Sequence, residues 1–305
     1  MLKKIIQMAS LYTHQERNIW KTWVLMTLFF VVVIAIGWAF SYVYDNPGIL
    51  YFAVIFSIVM NIISYWYSDK IVLAMYKAVP VTNTSHPDLY NIVENLSITA
   101  GLPMPRVYVI PEAAPNAFAT GRNKEHAAVA VTEGLLRMLD RSELEGVIAH
   151  ELAHIGNRDT LLQTVIVILV GFVALISDWF IRMSFWGGHR DRGNGKAGGV
   201  LVLIGFALAI LAPIIATLIQ LAISRRREFL ADATGALMTR YPEGLANALR
   251  KIGGYAGEMR RANNATAHLF ISNPFGPEKL HGLHKLFMTH PPMEDRVKAL
   301  LGERA

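Results

Sequence analysis

His150-Glu151-Leu152-Ala153-His154, preceded by Ser142-Glu143-Leu144-Glu145-Gly146-Val147-Ile148-Ala149 and followed by Ile155-Gly156, has the form H-E-x-x-H. On an α-helix successive residues advance by roughly 100°, so two residues four apart stand one turn above each other on nearly the same face. Two imidazoles so placed can share one Zn²⁺, and the glutamate between them reaches the water in the ion's open position. The flanks read as helix. Ser142 and Glu145 fit an S-x-x-E capping box, Gly156 fits a C-terminal stop, and Leu144, Ile148, Leu152 and Ile155 make an apolar stripe that would seat the helix on a core. Five residues alone are a permissive pattern, also met on ordinary amphipathic helices, so the rest of the chain has to decide.

Of the 305 residues, 53% are hydrophobic and 17% charged, with a mean hydropathy of +0.35. Soluble domains carry about 25% charged residues, so part of this chain belongs in a membrane. The formal charge of +6 fits lysines and arginines flanking membrane spans and meeting anionic lipid. No basic, aromatic-interleaved module is present, which argues against a nucleic-acid partner. Cysteine is absent. Disulfides, thiolate ligands and a cysteine nucleophile are thereby excluded, and any metal site must be built from histidine and carboxylate.

Four uncharged runs divide the chain. Trp23 to Val43 follows Lys3, Lys4, Arg17 and Lys21, and is long enough to cross a bilayer at about 20 residues. It is too long and too far from the start for the core of a signal peptide. After the turn Asp45-Asn46-Pro47-Gly48, Ile49 to Tyr65 makes a second span, with Trp66 and Tyr67 placed as interfacial aromatics. An aqueous stretch follows: an amphipathic helix over Pro87 to Ala100, strands at Arg106 to Ile110 and Ala127 to Val131, and between them a third strand within Pro115 to Gly121. The third and fourth runs, Leu161 to Ile176 and Val200 to Ile223, enclose the polar loop 187–196. The end of the chain is aqueous again, with a helix over Gly244 to Ile252 and another starting near Pro292. The expected division is thus 1–67 (first transmembrane hairpin), 68–159 (first half of a catalytic domain, with the H-E-x-x-H helix), 160–223 (second hairpin) and 224–305 (second half). The positive-inside bias puts both aqueous parts in the cytoplasm. Arg182, Arg190, Arg192 and Lys196 run against it, so the second hairpin either spans despite the bias or does not fully cross.

A catalytic zinc needs a third protein ligand. The candidates are Glu228, His126, Asp159, the pair His281 and His284, and His290. Glu228 opens a Glu-x-x-x-Asp ending at Asp232 on a helix continuing from the fourth run. There Glu228 can face the metal, while Asp232 one turn on can hold a ligand imidazole by its other N–H.

Together, His150-Glu151-Leu152-Ala153-His154, Glu228-Phe229-Leu230-Ala231-Asp232, the hairpin between them and Thr289-His290-Pro291-Pro292 resemble the HtpX family. These are membrane-bound zinc endopeptidases of bacteria and archaea, of the gluzincin type and related to the CAAX prenyl proteases. The resemblance runs in order over nearly the whole chain. The long basic loop of the second hairpin departs from it and leaves the topology there open. It implies an α-helical membrane protein with an α+β gluzincin-type domain, four transmembrane helices in two hairpins and a small sheet with an edge strand. It also implies one Zn²⁺ per chain, held by His150, His154 and Glu228, with Glu151 as general base and Asp232 behind a ligand histidine. Asn116-Ala117-Phe118-Ala119 would be the edge strand that pairs with an extended substrate. His290 would donate to the oxyanion and Arg296 would support the histidine or the substrate backbone; a helix cap and a solvated charge are the competing readings of these two. The implied role is quality control of misfolded or damaged membrane proteins, cleaved at cytoplasmic segments, in the inner membrane of a prokaryote. Two rivals are a CAAX-type prenyl protease, which needs more spans than four, and a non-catalytic scaffold, which needs a damaged Glu151.

Overall fold

The computed structural model describes residues 2–43, 45–172, 225–262, 266–276 and 291–303, omitting the side chains of 2–15 and of Val43. The polar loop 187–196, the fourth apolar run, the end of the third, and His281, His284, Thr289 and His290 lie outside the described residues.

Helix α1, Leu2–Val43, runs unbroken through Arg17 and Lys21, because nothing in Leu2–Ile36 is Gly or Pro and Lys, Arg and Gln are good helix formers. Its span-forming part is Glu16–Tyr42, seven residues longer at the start than the uncharged run. Asn46 caps α2, Pro47–Trp66, by accepting from the Gly48 N–H, and Pro47 enters its first turn without losing a needed donor. The two helices pack where Gly37 meets Ala53; a Cβ at Gly37 would stand 2.3 Å from that of Ala53, so only glycine allows the approach. Among the described residues these are the two helices long and apolar enough to cross a membrane.

Helix α3, Ser68–Met75, leads to β1, Val79–Pro80, a two-residue strand with no sequence signal of its own. Then come α4, Pro87–Ala100; β2, Arg106–Ile110; β3, Ala117–Gly121; β4, Ala127–Thr132; and α5, Glu133–Met138. The sheet order is β1-β2-β4-β3, with β2 parallel and β3 antiparallel to β4, so β3 forms one edge. Leu89, Ile92, Val93 and Leu96 of α4 are all buried, as their spacing requires.

Helix α6, Arg141–Gly156, carries the H-E-x-x-H residues and is buried from Glu143 to Ile155 except at Glu145. Its cap differs from the sequence reading. Asp140 accepts from the Glu143 N–H and Glu143 accepts from the Asp140 N–H, each at 2.9 Å, while the Ser142 hydroxyl only donates to Asp140 at 2.8 Å. Asp140-x-x-Glu143 and Ser142-x-x-Glu145 satisfy the same pattern two residues apart, and the chain uses the earlier one. Gly156 likewise stays inside the helix. The chain turns at Asn157 and Arg158, where Arg158 adopts the left-handed conformation (φ 58°), and α7, Asp159–Phe172, leaves at 83° to α6.

The bend sends the two helices to different packing partners, although Val167 and Ile168 of α7 also reach Phe118, Ala128 and Ala130 on the sheet. On one side α6 packs with the sheet, α4, α8 (Arg225–Thr239) and α9 (Pro242–Gly253). At Gly146 a Cβ would lie 2.6 Å from the Leu245 nitrogen, so glycine lets α9 touch α6 backbone to backbone. On the other side Leu161, Leu162, Val165 and Ile166 of α7 pack on Leu25, Met26 and Phe29 of α1. Helix α10, Met293–Leu301, closes the first core against α9 and α8.

Candidate metal centre

His150 and His154 point their Nε2 atoms at each other, 3.1 Å apart, one turn apart on α6. Helix α8 brings Glu228 against both, its carboxylate oxygens 3.8 Å from His150 Nε2 and 3.6 Å from His154 Nε2. The other ring nitrogens are already committed. His150 Nδ1 lies 2.9 Å from Asp232, and His154 Nδ1 lies 3.0 Å from Asp159. With a proton on each Nδ1 facing a carboxylate, the two Nε2 lone pairs converge on the Glu228 oxygens. Three acceptors face one another there, an arrangement that needs a cation or protons between them. Ligands of a tetrahedral ion bonded at 2.0–2.2 Å stand roughly 3.3–3.6 Å apart, close to the separations seen. Among the described residues only these three form such a group.

Charge makes the same point. Glu151, Asp159, Glu228 and Asp232 are buried around the site, and among the described residues the buried guanidiniums that accompany them are Arg227 and Arg296. A divalent cation would balance the two negative charges that the guanidiniums leave. Without one, protons substitute. Burial pushes Glu151 up to about 7. Burial alone would lower His154, but its bond to Asp159 and the charges of Glu228, Asp159 and Glu151 outweigh that and raise it to about 9. His150 goes the other way, to about 4: burial and the charges of His154 and Arg296 oppose a proton that Asp232 only partly favours.

Arg296 is fully buried, so the solvated reading does not describe it. Its Nε and Nη2 donate to the two oxygens of Asp232 at 2.8 and 2.6 Å, and Nη1 donates to the Ile271 carbonyl at 3.2 Å. Asp232 is thereby gripped between Arg296 and His150. Burial would raise its pKa, but the Arg296 charge and hydrogen bonds hold it below the usual carboxylate value.

Glu151 lies on the same helix but turned toward β3, where the Ala119 N–H donates to its carboxylate. Of the substrate-pairing residues expected from the sequence, two are engaged within the chain. The Ala117 carbonyl accepts from the Ile271 N–H at 3.0 Å. The Asn116 side chain both donates to the Ser272 carbonyl at 3.0 Å and accepts from its N–H at 3.2 Å. Phe118 turns its ring into the core against Tyr76 and Phe270. This strap across the sheet edge has no motif in the sequence. Of the other ligand candidates, His126 is exposed and bonded to Asn123, away from the centre, and Asp159 sits behind His154. His281, His284 and His290 lie outside the described residues.

The profile of peptidase family M48 matches residues 83–304. A curated "Protease HtpX homolog" from Caldanaerobacter subterraneus subsp. tengcongensis is 49% identical over 296 residues, covering 95% of this chain and 97% of its own. Another, from Pyrococcus furiosus, is 48% identical over 283 residues, covering 92% and 94%. The crystal structure of Ste24p from S. mikatae aligns at a TM-score of 0.49 and 19% identity, over 92% of this chain and 66% of that one.

Proposed function

The chain belongs to peptidase family M48, among the HtpX proteases, and from that premise we propose that it is a membrane-bound zinc endopeptidase acting on unfolded or damaged membrane-protein segments at the cytoplasmic face. The observation that carries the zinc reading is the convergence of His150, His154 and Glu228 among three further buried carboxylates, Glu151, Asp159 and Asp232, and the guanidiniums of Arg227 and Arg296. Two imidazoles and a carboxylate at tetrahedral spacing suit zinc. When bound, zinc supplies a Lewis acid and lowers the pKa of water at the site. The chain does the rest. Asp232 and Asp159 keep a proton on the Nδ1 of each ligand histidine and fix the ring planes. Glu151 accepts a proton from the attacking water at its carboxylate and returns it to the leaving amine. The substrate binds as an extended strand along β3, either beyond Ala117 or by displacing Ile271 and Ser272. His290 is retained as an oxyanion donor on resemblance alone; Arg296 supports His150 through Asp232.

The nature of the substrate is inferred from where the centre sits. Asp159, bonded to His154, is the first residue of α7, which continues directly into the apolar core shared with α1 and α2. A site one turn from a membrane helix meets polypeptide segments as they leave the bilayer. The four-part division of the chain and four spans in two hairpins, with the catalytic halves cytoplasmic, belong to the same proposal and rest on the apolar runs and basic flanks of the sequence, two of those runs being span-length helices in the structure. A single cysteine at Gly193, in a chain that has none, tests the second hairpin. Labelling by an impermeant reagent from outside is expected; labelling only from inside would reject the span.

The metal assignment is tested by Glu228→Ala. Removing one of three protein ligands should leave the purified protein unable to retain zinc through dialysis that the wild type withstands, with its proteolysis lost in proportion. Full zinc occupancy in this variant would transfer the third ligand to another residue.

A further inference from the structure

The carboxylate behind His154 has a partner from the opposite end of the chain. Asn18, in the first turn of the span Glu16–Tyr42, is 6% exposed. Its Nδ2 donates to Asp159 Oδ1 at 2.7 Å and to the Asn157 carbonyl at 3.3 Å. The other oxygen of Asp159, Oδ2, is the one 3.0 Å from His154 Nδ1. We infer that Asn18 is a positioning residue for the metal centre: its amide fixes the Asp159 carboxylate, which fixes the ring of His154, so that the first membrane helix is linked to a metal ligand through one intervening side chain. This rests on the metal-site reading given above.

Three features carry the inference. A buried amide costs free energy unless its hydrogen bonds are made, and an apolar residue would pack α1 against α7 without that cost. The stronger of the two bonds made here goes to a carboxylate rather than to a backbone group, and such charge-assisted bonds are about twice as strong as neutral ones. Second, the terminal torsion of an aspartate is broad. Oδ2 alone would let the carboxylate swing about its contact with His154, whereas Oδ1 held by Asn18 sets its plane. Third, Asp159 follows the turn at Asn157 and Arg158 and the 83° bend, and Asn18 spans that turn from Asn157 to Asp159. The arrangement parallels Arg296, Asp232 and His150 on the far side of the centre. There a guanidinium supplies both grip and charge; here Asn18 supplies the grip, and Arg227, with Nε 3.8 Å from Asp159, supplies the charge. The competing reading is that Asn18 merely fastens α1 to the turn, with no effect transmitted through Asp159.

The test uses full-length protein in detergent. Asn18→Leu, of similar size, should raise the zinc dissociation constant about tenfold, the lower end of the loss typical for groups that hold a metal ligand in place. It should also shift the visible absorption spectrum of the Co²⁺-substituted protein, which a helix fastening remote from the ligands would not move. In an Asp159→Asn background the same substitution should have little further effect on zinc affinity, because coupled residues are not additive. Equal losses in both backgrounds, or an unchanged dissociation constant and Co²⁺ spectrum, would overturn the inference. If Asn18→Leu does not fold, Asn18→Asp replaces the donor by an acceptor at the same size and should weaken zinc at least as much; wild-type affinity there would overturn it too. Wild-type protein that binds no zinc would sink the metal reading itself, whereas normal wild-type binding with an inert Asn18 would remove this inference alone.

Discussion

Glu151→Gln protein is expected to bind zinc as the wild type does and to hydrolyse an unfolded protein substrate ~10²–10⁴-fold more slowly, the usual contribution of a positioned general base. The two halves of this result come from different sides of α6. His150 and His154 face Glu228, whereas Glu151, roughly 100° round the helix from His150, faces the edge strand and takes the Ala119 N–H. Glutamine has the same shape, and its carbonyl can still accept from Ala119. What it loses is the ability to hold the proton of the attacking water. Burial pushes Glu151 up to about 7 against the opposing charges of His154 and Arg296 and the Ala119 bond, the direction that favours a carboxylate taking up a proton. Metal content and turnover should be measured on the same preparation. If zinc disappears together with activity, Glu151 is a ligand and the division of roles proposed for α6 is wrong.

The parts of the centre that were legible in the sequence are those set by helical spacing. His150 and His154 at i and i+4, and Glu228 with Asp232 at i and i+4, each define a face without any knowledge of the fold. Asp159 could be seen only as a carboxylate five residues past His154, and so was a ligand candidate. Its position behind the ring is decided by the turn at Arg158, which no local pattern announces. Asn18 was hidden more completely, since its contact with Asp159 joins residues 141 apart in sequence, and its surroundings read only as a basic flank. The same holds for the strap, because the Ile271 N–H and Ser272 backbone carry no side-chain signature. Local patterns also mislead where two of them overlap, as at Asp140 and Ser142. The uncharged run Trp23 to Val43 marks only part of α1, because charge, which ends an apolar run, does not end a helix.

Arg296→Met is expected to destabilise the protein by about 3–5 kcal/mol, the cost of stranding a buried charge by removing its partner. The guanidinium is fully buried and satisfies both oxygens of Asp232, and its Nη1 lies 3.5 Å from Glu228. Methionine fills much of the same volume, so the loss reports charge and hydrogen bonding more than a cavity. The pH dependence has a definite sign. Asp232 is held below its ordinary value in the folded protein, so its contribution is present above the unfolded carboxylate pKa of about 3.9 and is lost as pH falls through the lower folded value. The melting temperatures of wild type and variant should therefore be far apart at pH 7 and draw together below about pH 4. A second substitution separates charge from packing. Asp232→Asn added to Arg296→Met removes the stranded carboxylate and keeps an oxygen for His150 Nδ1, so the double variant should recover a large part of the lost stability at pH 7. Were Arg296 important through its contact with the Ile271 carbonyl instead, the double variant would melt no higher than Arg296→Met alone, and the grip on Asp232 would cease to be the reason this arginine is buried.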